Sequence, residues 1–182
     1  ASQDDSEKMH QIMMISDDRF FFVGVNDQND DLIFGEFFYD GANIEMDWIK
    51  QVPTVGGRVV NPTMTMDDYG AVIVAWDIFN SAASKYDKIN VSKFLLSSAQ
   101  TEWEWSKTVT TAGDFLEMHH AGISYDQWGN YTLISDVIES QNQRYAVISY
   151  MKYDGTLLYQ TKVDDTASIG FQAYTHALDN SG

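Results

Sequence analysis

The sequence predicts an all-β fold, namely a β-propeller of three four-stranded antiparallel blades plus the first strand of a fourth. A strand–turn–strand pattern with Asp-x-x-Gly at its turn occurs at Asp67–Gly70 and again at Asp126–Gly129. Each copy is followed by two more strand-like segments, so that a unit of roughly fifty residues holds four strands, as a propeller blade does. The repeat therefore predicts the architecture before any single strand is assigned.

The segments around the turns have the composition of strands rather than helices. They are rich in Val, Ile, Phe, Tyr, Trp and Thr, and their apolar residues do not recur at helical spacing. The runs Phe20–Val25 and Ala71–Trp76 are apolar at successive positions, which predicts strands covered on both faces by neighbouring sheets. Asp-Gly pairs at Asp40 and Asp154 follow the predicted third strands and supply the positive φ of a tight hairpin.

The repeat predicts one all-β domain over residues 1–182, without an internal linker. The units span about 7–57, 58–113 and 114–166, with a partial unit at 167–182. In the first unit Ser16 and Arg19 replace the Asp and Gly of the turn. Propellers usually close with four or more blades, so we expect a piece of a longer propeller. A ring assembled from copies of the chain, or one completed by a partner, is the alternative.

The charge and the residue types present exclude several classes of function. Acidic residues outnumber basic ones by 27 to 11, and the net charge of −16 argues against nucleic acid and anionic membranes as partners. The absence of cysteine excludes disulfides, thiolate metal sites and a cysteine nucleophile. No apolar run is long enough to predict a membrane-spanning helix, and the acidic segment Ala1–Glu7 is expected to be a mature or trimmed end.

Two units share further residues with a known kind of repeat. The second unit carries Pro62, Asp67, Gly70, Val74 and Trp76, and the third carries Asp126, Gly129, Asn130, Asp154 and Gly155. This pattern resembles the propeller-like repeats of large bacterial secreted and cell-surface proteins, whose units read Pro-x-x-x-x-Asp-x-x-Gly-Asn-x-x-Val-x-Trp and then Asp-Gly. The resemblance implies a propeller in an extracellular or cell-surface protein. Because these residues form turns, it implies no particular chemistry.

Polar residues at equivalent strand positions are candidates for lining a central channel. His10 and His120 correspond in units one and three, and Asn61 lies at the matching position of unit two. The first strand of each propeller blade faces the axis, so these side chains could converge and hold a metal or an anion. The alternative is that they are polar strand ends facing a wet channel.

An acidic loop is the candidate calcium site. Asp27, Asp30 and Asp31 lie together between two predicted strands. Calcium is bound by several carboxylate and carbonyl oxygens on a turn, although the spacing is not that of an EF-hand. The alternative is solvated loop charge, and no other cofactor is expected.

Three tryptophans are candidate ligand-binding residues. Trp103 and Trp105 alternate on one outer strand and so share a face, and Trp128 lies in a turn. Exposed indole rings could stack on sugar rings, whereas the alternative is that they pack within the fold.

These features favour a non-catalytic binding or scaffold module of an extracellular or cell-surface protein, with a carbohydrate or protein ligand and a possible homo-oligomer. A fragment of a propeller-fold glycan hydrolase is an alternative class, and a structural spacer is another. Arg19, Arg58 and Arg144 equal in number the arginines with which a sialidase grips a carboxylate, but nothing in the sequence brings them together.

Overall fold

The computed structural model describes residues 11–26, 29–52, 58–95, 104–111, 115–140 and 143–163. Within these ranges the regular structure is entirely β, with no helix and hence no helix that could cross a membrane. The strands are β1 (Gln11–Met14), β2 (Arg19–Val25), β3 (Leu32–Tyr39), β4 (Ile44–Val52), β5 (Arg58–Met66), β6 (Ala71–Asn80), β7 (Lys85–Leu95), β8 (Trp105–Val109), β9 (Glu117–Tyr125), β10 (Tyr131–Ser140), β11 (Gln143–Met151) and β12 (Leu157–Val163).

The strands form three four-stranded antiparallel sheets in chain order. Sheet 1 is β1–β4, sheet 2 is β5–β8 and sheet 3 is β9–β12, and in each sheet consecutive strands are neighbours. The prediction of an all-β fold with four-stranded antiparallel units is confirmed. The described strands make three stacked sheets and not a closed ring, and the predicted partial unit at 167–182 lies outside the described residues.

The repeated Asp-x-x-Gly motif builds the same corner in sheets 2 and 3. Oδ1 of Asp67 and of Asp126 accepts the backbone N–H groups of the second and fourth residues after it, at 2.8 to 2.9 Å. Gly70 and Gly129 adopt φ of +77° and +83°, a conformation that L side chains rarely tolerate. The carboxylate thus satisfies amides that the strand ladder leaves unpaired.

Sheet 2 is buried on both faces because it lies between the other two sheets. In β6 the even-numbered Val72, Val74 and Trp76 pack with residues of sheet 1, and the odd-numbered Ile73 and Ala75 pack with residues of sheet 3. The prediction of a doubly covered strand at Ala71–Trp76 is therefore confirmed.

The same prediction for Phe20–Val25 is confirmed for one face of the strand and stays a prediction for the other face. Phe21 and Val23 are buried against sheet 2. The opposite face of sheet 1 has no sheet packed on it within the described part of the chain, because sheet 1 is the first of the three.

That uncovered face of sheet 1, here called the outer face, is apolar across all four strands. Two cross-strand rows span it: Ile12–Phe22–Gly35–Ile49 and Met14–Phe20–Phe37–Met46. The Phe22 ring lies over Gly35, where even a Cβ atom would come within 2.6 Å of it. Both rows lack charged side chains, and their four edge-strand residues are exposed.

Candidate functional site

Three hairpin turns at one end of sheets 2 and 3 enclose a cleft of about 320 Å³. The turns are the corner at Asp67–Gly70, the corner at Asp126–Gly129 and the β11–β12 turn, which contains Tyr153. A volume near 300 Å³ is at the lower end of the range for small-molecule sites. We call this the turn cleft.

Each of these turns carries one exposed aromatic side chain. Tyr69 and Trp128 occupy the same position, directly before the glycine of the corner, and Tyr153 lies in the third turn. Their exposed fractions are 86%, 62% and 61%. Rings exposed to this extent bury little of their own apolar area, so their contribution to folding is small. They are available as surfaces on which a ligand can stack.

Trp105, a predicted ligand residue, packs against the turn that carries Tyr153 and so helps to position this wall of the turn cleft. Its Nε1 donates to the Tyr153 carbonyl at 2.9 Å, and the half-buried ring packs beside Tyr131. A Cβ on Gly155 would lie 2.7 Å from the Trp105 ring, so the turn that carries Tyr153 closes tightly onto the indole. Of the other predicted tryptophans, Trp128 lines the cleft, and Trp103 lies outside the described residues.

The charged groups of the cleft differ in their ion-pair partners and in their exposure. The Lys93 ammonium is nearly buried and lies 3.3 Å from Asp67 Oδ2 and 3.5 Å from Glu104 Oε2. Asp67 is therefore both a turn cap and an ion-pair partner. Asp68 is exposed, and burial together with the charge of Asp68 raises the pKa of Tyr125 at the cleft wall.

The predicted channel positions Asn61 and His120 converge on a buried carboxylate that sequence reasoning missed. Asp77 Oδ2 accepts from Asn61 Nδ2 at 3.1 Å, and Asp77 Oδ1 lies 2.5 Å from His120 Nδ1 and accepts the His120 backbone N–H at 2.9 Å. His119 Nδ1 approaches Asp77 Oδ2 at 3.1 Å. The network joins the central sheet to sheet 3. The predicted third member, His10, lies outside the described residues.

Ionisation of Asp77 is favoured within this network. Burial by itself would raise the pKa of Asp77, but the charge of His120 and the hydrogen bonds from His119 and His120 outweigh it and lower the pKa to about 2. Burial likewise opposes the charged form of His119, yet its contacts with Asp77 and Glu117 raise its pKa overall. Asp77 is thus a buried anion held by polar donors.

The Asp77–His120 pair continues to a hydroxyl, since His120 Nε2 lies 2.9 Å from Thr63 Oγ1. A carboxylate, an imidazole and a hydroxyl in this order can activate a nucleophile. Here the His120 side chain is fully buried, and Thr63 does not line the turn cleft. The array is a structural link between sheets 2 and 3.

The predicted calcium residues have protein partners where they are described. Asp30 Oδ2 lies 3.4 Å from Arg58 Nε, and Asp31 Oδ2 accepts from Gln51 Nε2 at 2.7 Å. Asp27 lies outside the described residues. Across the described ranges, no group of three or more His, Cys, Asp or Glu side chains could hold a metal ion.

The three arginines are not brought to one site. Arg19 pairs with Glu36 in sheet 1, and Arg58 approaches Asp30. Arg144 lies 3.6 Å from Asp136 in sheet 3. A sialidase-like cluster of these residues is absent from the structure.

Comparison with known proteins gives only a distant structural likeness. No family model and no curated protein matches the chain. The chain is similar to the crystal structure of a member of the duf4221 family from Bacteroides vulgatus, with 9% sequence identity and a TM-score of 0.49 over 87% of this chain and 53% of that one. The chain thus spans about half the length of that neighbour.

Proposed function

We propose that this chain is a non-catalytic carbohydrate-binding module and that the turn cleft is its binding site. The observation that carries the proposal is the set of three exposed rings, Tyr69, Trp128 and Tyr153, around a cleft of about 320 Å³. An aromatic ring has a negative face that attracts the C–H groups of a sugar ring, and its apolar area is desolvated on stacking. Rings on capped turns are already positioned, which lowers the entropic cost of binding.

The carboxylates of the cleft support binding rather than hydrolysis. A glycosidase uses two carboxyl groups, roughly 5 to 9.5 Å apart, that face the scissile bond. Asp67 is committed to its turn and to Lys93, which leaves Asp68 as the exposed carboxylate of the cleft lining. A single available carboxylate supplies either an acid or a base, but not the pair that hydrolysis needs.

Calorimetric titration with a panel of neutral oligosaccharides tests this function. We expect saturable binding by the wild type and a loss of affinity of about fivefold or more in Trp128→Ala, since one aromatic contact contributes about 1 kcal/mol or more. Tyr39→Ala is the control, because it removes an exposed aromatic from sheet 1. Equal binding by Trp128→Ala would overturn the assignment of the site.

Incubation with labelled oligosaccharides, together with the titration, separates this function from a glycan hydrolase, a protein-binding module and a structural spacer. Release of products from labelled oligosaccharides would replace the binding proposal with a glycan hydrolase. Failure to bind any glycan would overturn it in favour of a protein ligand or a structural spacer.

We also propose that the three sheets are consecutive blades of a β-propeller in an extracellular or cell-surface protein. The supporting observations are the three four-stranded antiparallel sheets in chain order and the cross-link from the first strand of sheet 1 to that of sheet 2, where Gln11 Oε1 accepts the Met64 N–H at 2.6 Å. The occupant that fits the outer face of sheet 1 is a further four-stranded sheet. The face is uncharged and four strands wide, roughly 19 Å across at the usual strand spacing.

The exposed state of the outer face is directly testable. If the face is made to pack against another sheet, the isolated chain should bind the dye ANS, and Ile49→Lys should reduce that binding. Leu158→Lys, which alters an exposed apolar residue of sheet 3, is the control. Equal ANS fluorescence in both variants would contradict the proposal, and a dimer in light scattering that Ile49→Lys dissociates would identify a second copy as the occupant.

A further inference from the structure

We propose that the turn cleft selects carbohydrates that carry a positively charged ammonium group, that is, amino sugars, over neutral and acidic sugars. This inference rests on the proposed function and adds the charge class of the ligand. It follows from two properties of the cleft, the sign of its accessible charge and the number of its aromatic rings.

The accessible charge of the cleft is negative. Asp67 and Asp68 are the anionic residues of the lining, and Lys93 is its cation. The Lys93 side chain is only 9% exposed and lies between two carboxylates, those of Asp67 and Glu104, so its charge is already compensated within the protein. Asp68 is exposed and makes no ion pair within the described part of the chain. A ligand therefore meets an uncompensated carboxylate.

The aromatic rings of the cleft also favour a cation. Tyr69, Tyr125, Trp128 and Tyr153 all line it. The face of each ring carries partial negative charge, and a cation held within about 6 Å of a ring gains roughly 0.5 to 2 kcal/mol. Several rings and one carboxylate around a small cleft provide the environment that organic ammonium groups prefer.

An organic cation fits these walls better than a metal ion does. Calcium requires six to eight oxygen ligands and magnesium requires octahedral oxygen coordination. The described residues contain no metal-type group of carboxylates and imidazoles, and aromatic rings cannot replace those oxygens. An ammonium group, by contrast, can donate to Asp68 while its neighbouring C–H groups contact the rings.

The net charge of −16 acts in the same direction at longer range. It raises the local concentration of cationic ligands and lowers that of uronates. This contribution is screened at high salt, because the Debye length falls from about 10 Å at 0.1 M to about 3 Å at 1 M. The preference for an amino sugar should therefore weaken as salt is added.

The test is calorimetric titration with three oligosaccharides of equal length: β-1,4-linked glucosamine, its N-acetylated form and a uronate oligomer, at a pH at which the amines are protonated. We expect the glucosamine oligomer to bind at least fivefold more tightly than the N-acetylated one, and the uronate oligomer to bind most weakly. Asp68→Asn should abolish the preference, so that the glucosamine oligomer and the N-acetylated oligomer bind with equal affinity. Asp40→Asn, in a hairpin turn of sheet 1, should change neither affinity.

The outcomes separate this inference from the function on which it rests. Equal affinity for amino and N-acetylated oligomers, or a preference for the uronate, would overturn the charge selectivity and leave the carbohydrate site standing. No binding of any oligomer would overturn both.

Discussion

Replacement of Asp77 by asparagine tests the link between sheets 2 and 3. The Asp77 side chain is fully buried and receives hydrogen bonds from the His120 backbone and ring, from the His119 ring and from Asn61. Asp77→Asn keeps the volume but removes the negative charge. The donors on His119 and His120 then face a neutral amide in place of a carboxylate that is fully buried.

Two estimates bracket the size of the effect. Removing one partner of a buried charged pair costs about 3 to 5 kcal/mol. The fall of the Asp77 pKa from 3.8 to about 2 corresponds to about 2 kcal/mol of stability linked to its ionisation. We therefore expect Asp77→Asn to lower the free energy of unfolding by about 2 to 5 kcal/mol at pH 7.

Urea denaturation followed by tryptophan fluorescence measures this loss. Asp154→Asn is the control, since it removes a carboxylate of sheet 3 that lies exposed in a hairpin turn, and it should cost less than about 1 kcal/mol. A loss below about 1 kcal/mol in Asp77→Asn would refute the view that the buried charge holds the two sheets together.

Three further predictions concern pH, turn geometry and the support of the cleft. The pKa of Asp77 is lower in the folded state than its ordinary 3.8, so the free energy of unfolding of the wild type should fall as the pH drops from about 4 to about 2. A pH series of urea melts should show that Asp77→Asn lacks this part of the pH dependence. Gly155→Ala should destabilise the chain by about 1 to 3 kcal/mol in urea melts, since it combines φ of +77° with a clash against Trp105, whereas Gly41→Ala meets open space and should cost less; equal losses would contradict the tight closure. Trp105→Phe removes the hydrogen bond to the Tyr153 carbonyl and should cost about 1 kcal/mol, with weaker oligosaccharide binding in calorimetry; unchanged affinity would show that Tyr153 needs no such support.

The strands and corners could be predicted from the sequence because their causes are local. A corner forms where an Asp carboxylate accepts the amide of the second residue after it and a Gly adopts positive φ, and neither condition depends on what packs around the turn. The apolar run of β6 likewise reported correctly that sheets cover both of its faces. The run in β2 makes the same prediction, and of the two covering sheets that it implies, sheet 2 is among the described residues.

The network at Asp77 could not be predicted because its members come from strands that are distant in the sequence. One signal was present: Asp77 is the single charged residue in the apolar run of β6, and a buried charge needs partners. Asn61 and His120 both contact Asp77, but the sequence predicted them as channel-lining residues, without this carboxylate between them.

Of the residues that line the turn cleft, Trp128 alone is a ligand residue predicted from the sequence. Tyr69 occupies the same repeat position, directly before the corner glycine, and a residue-by-residue comparison of the two corners could have found it. Tyr153 reaches the cleft because the β11–β12 turn of sheet 3 approaches the corners, and this approach is set by the packing of the sheets and not by the local sequence.

Whether the turn cleft is the ligand site can be read from the indole N–H signals in a two-dimensional NMR spectrum recorded with and without the glucosamine oligomer. We expect the Trp128 signal to move on titration, while that of Trp48, whose Nε1 donates to Glu36 in sheet 1, stays in place. A stationary Trp128 signal under saturating ligand would show that the ligand binds elsewhere.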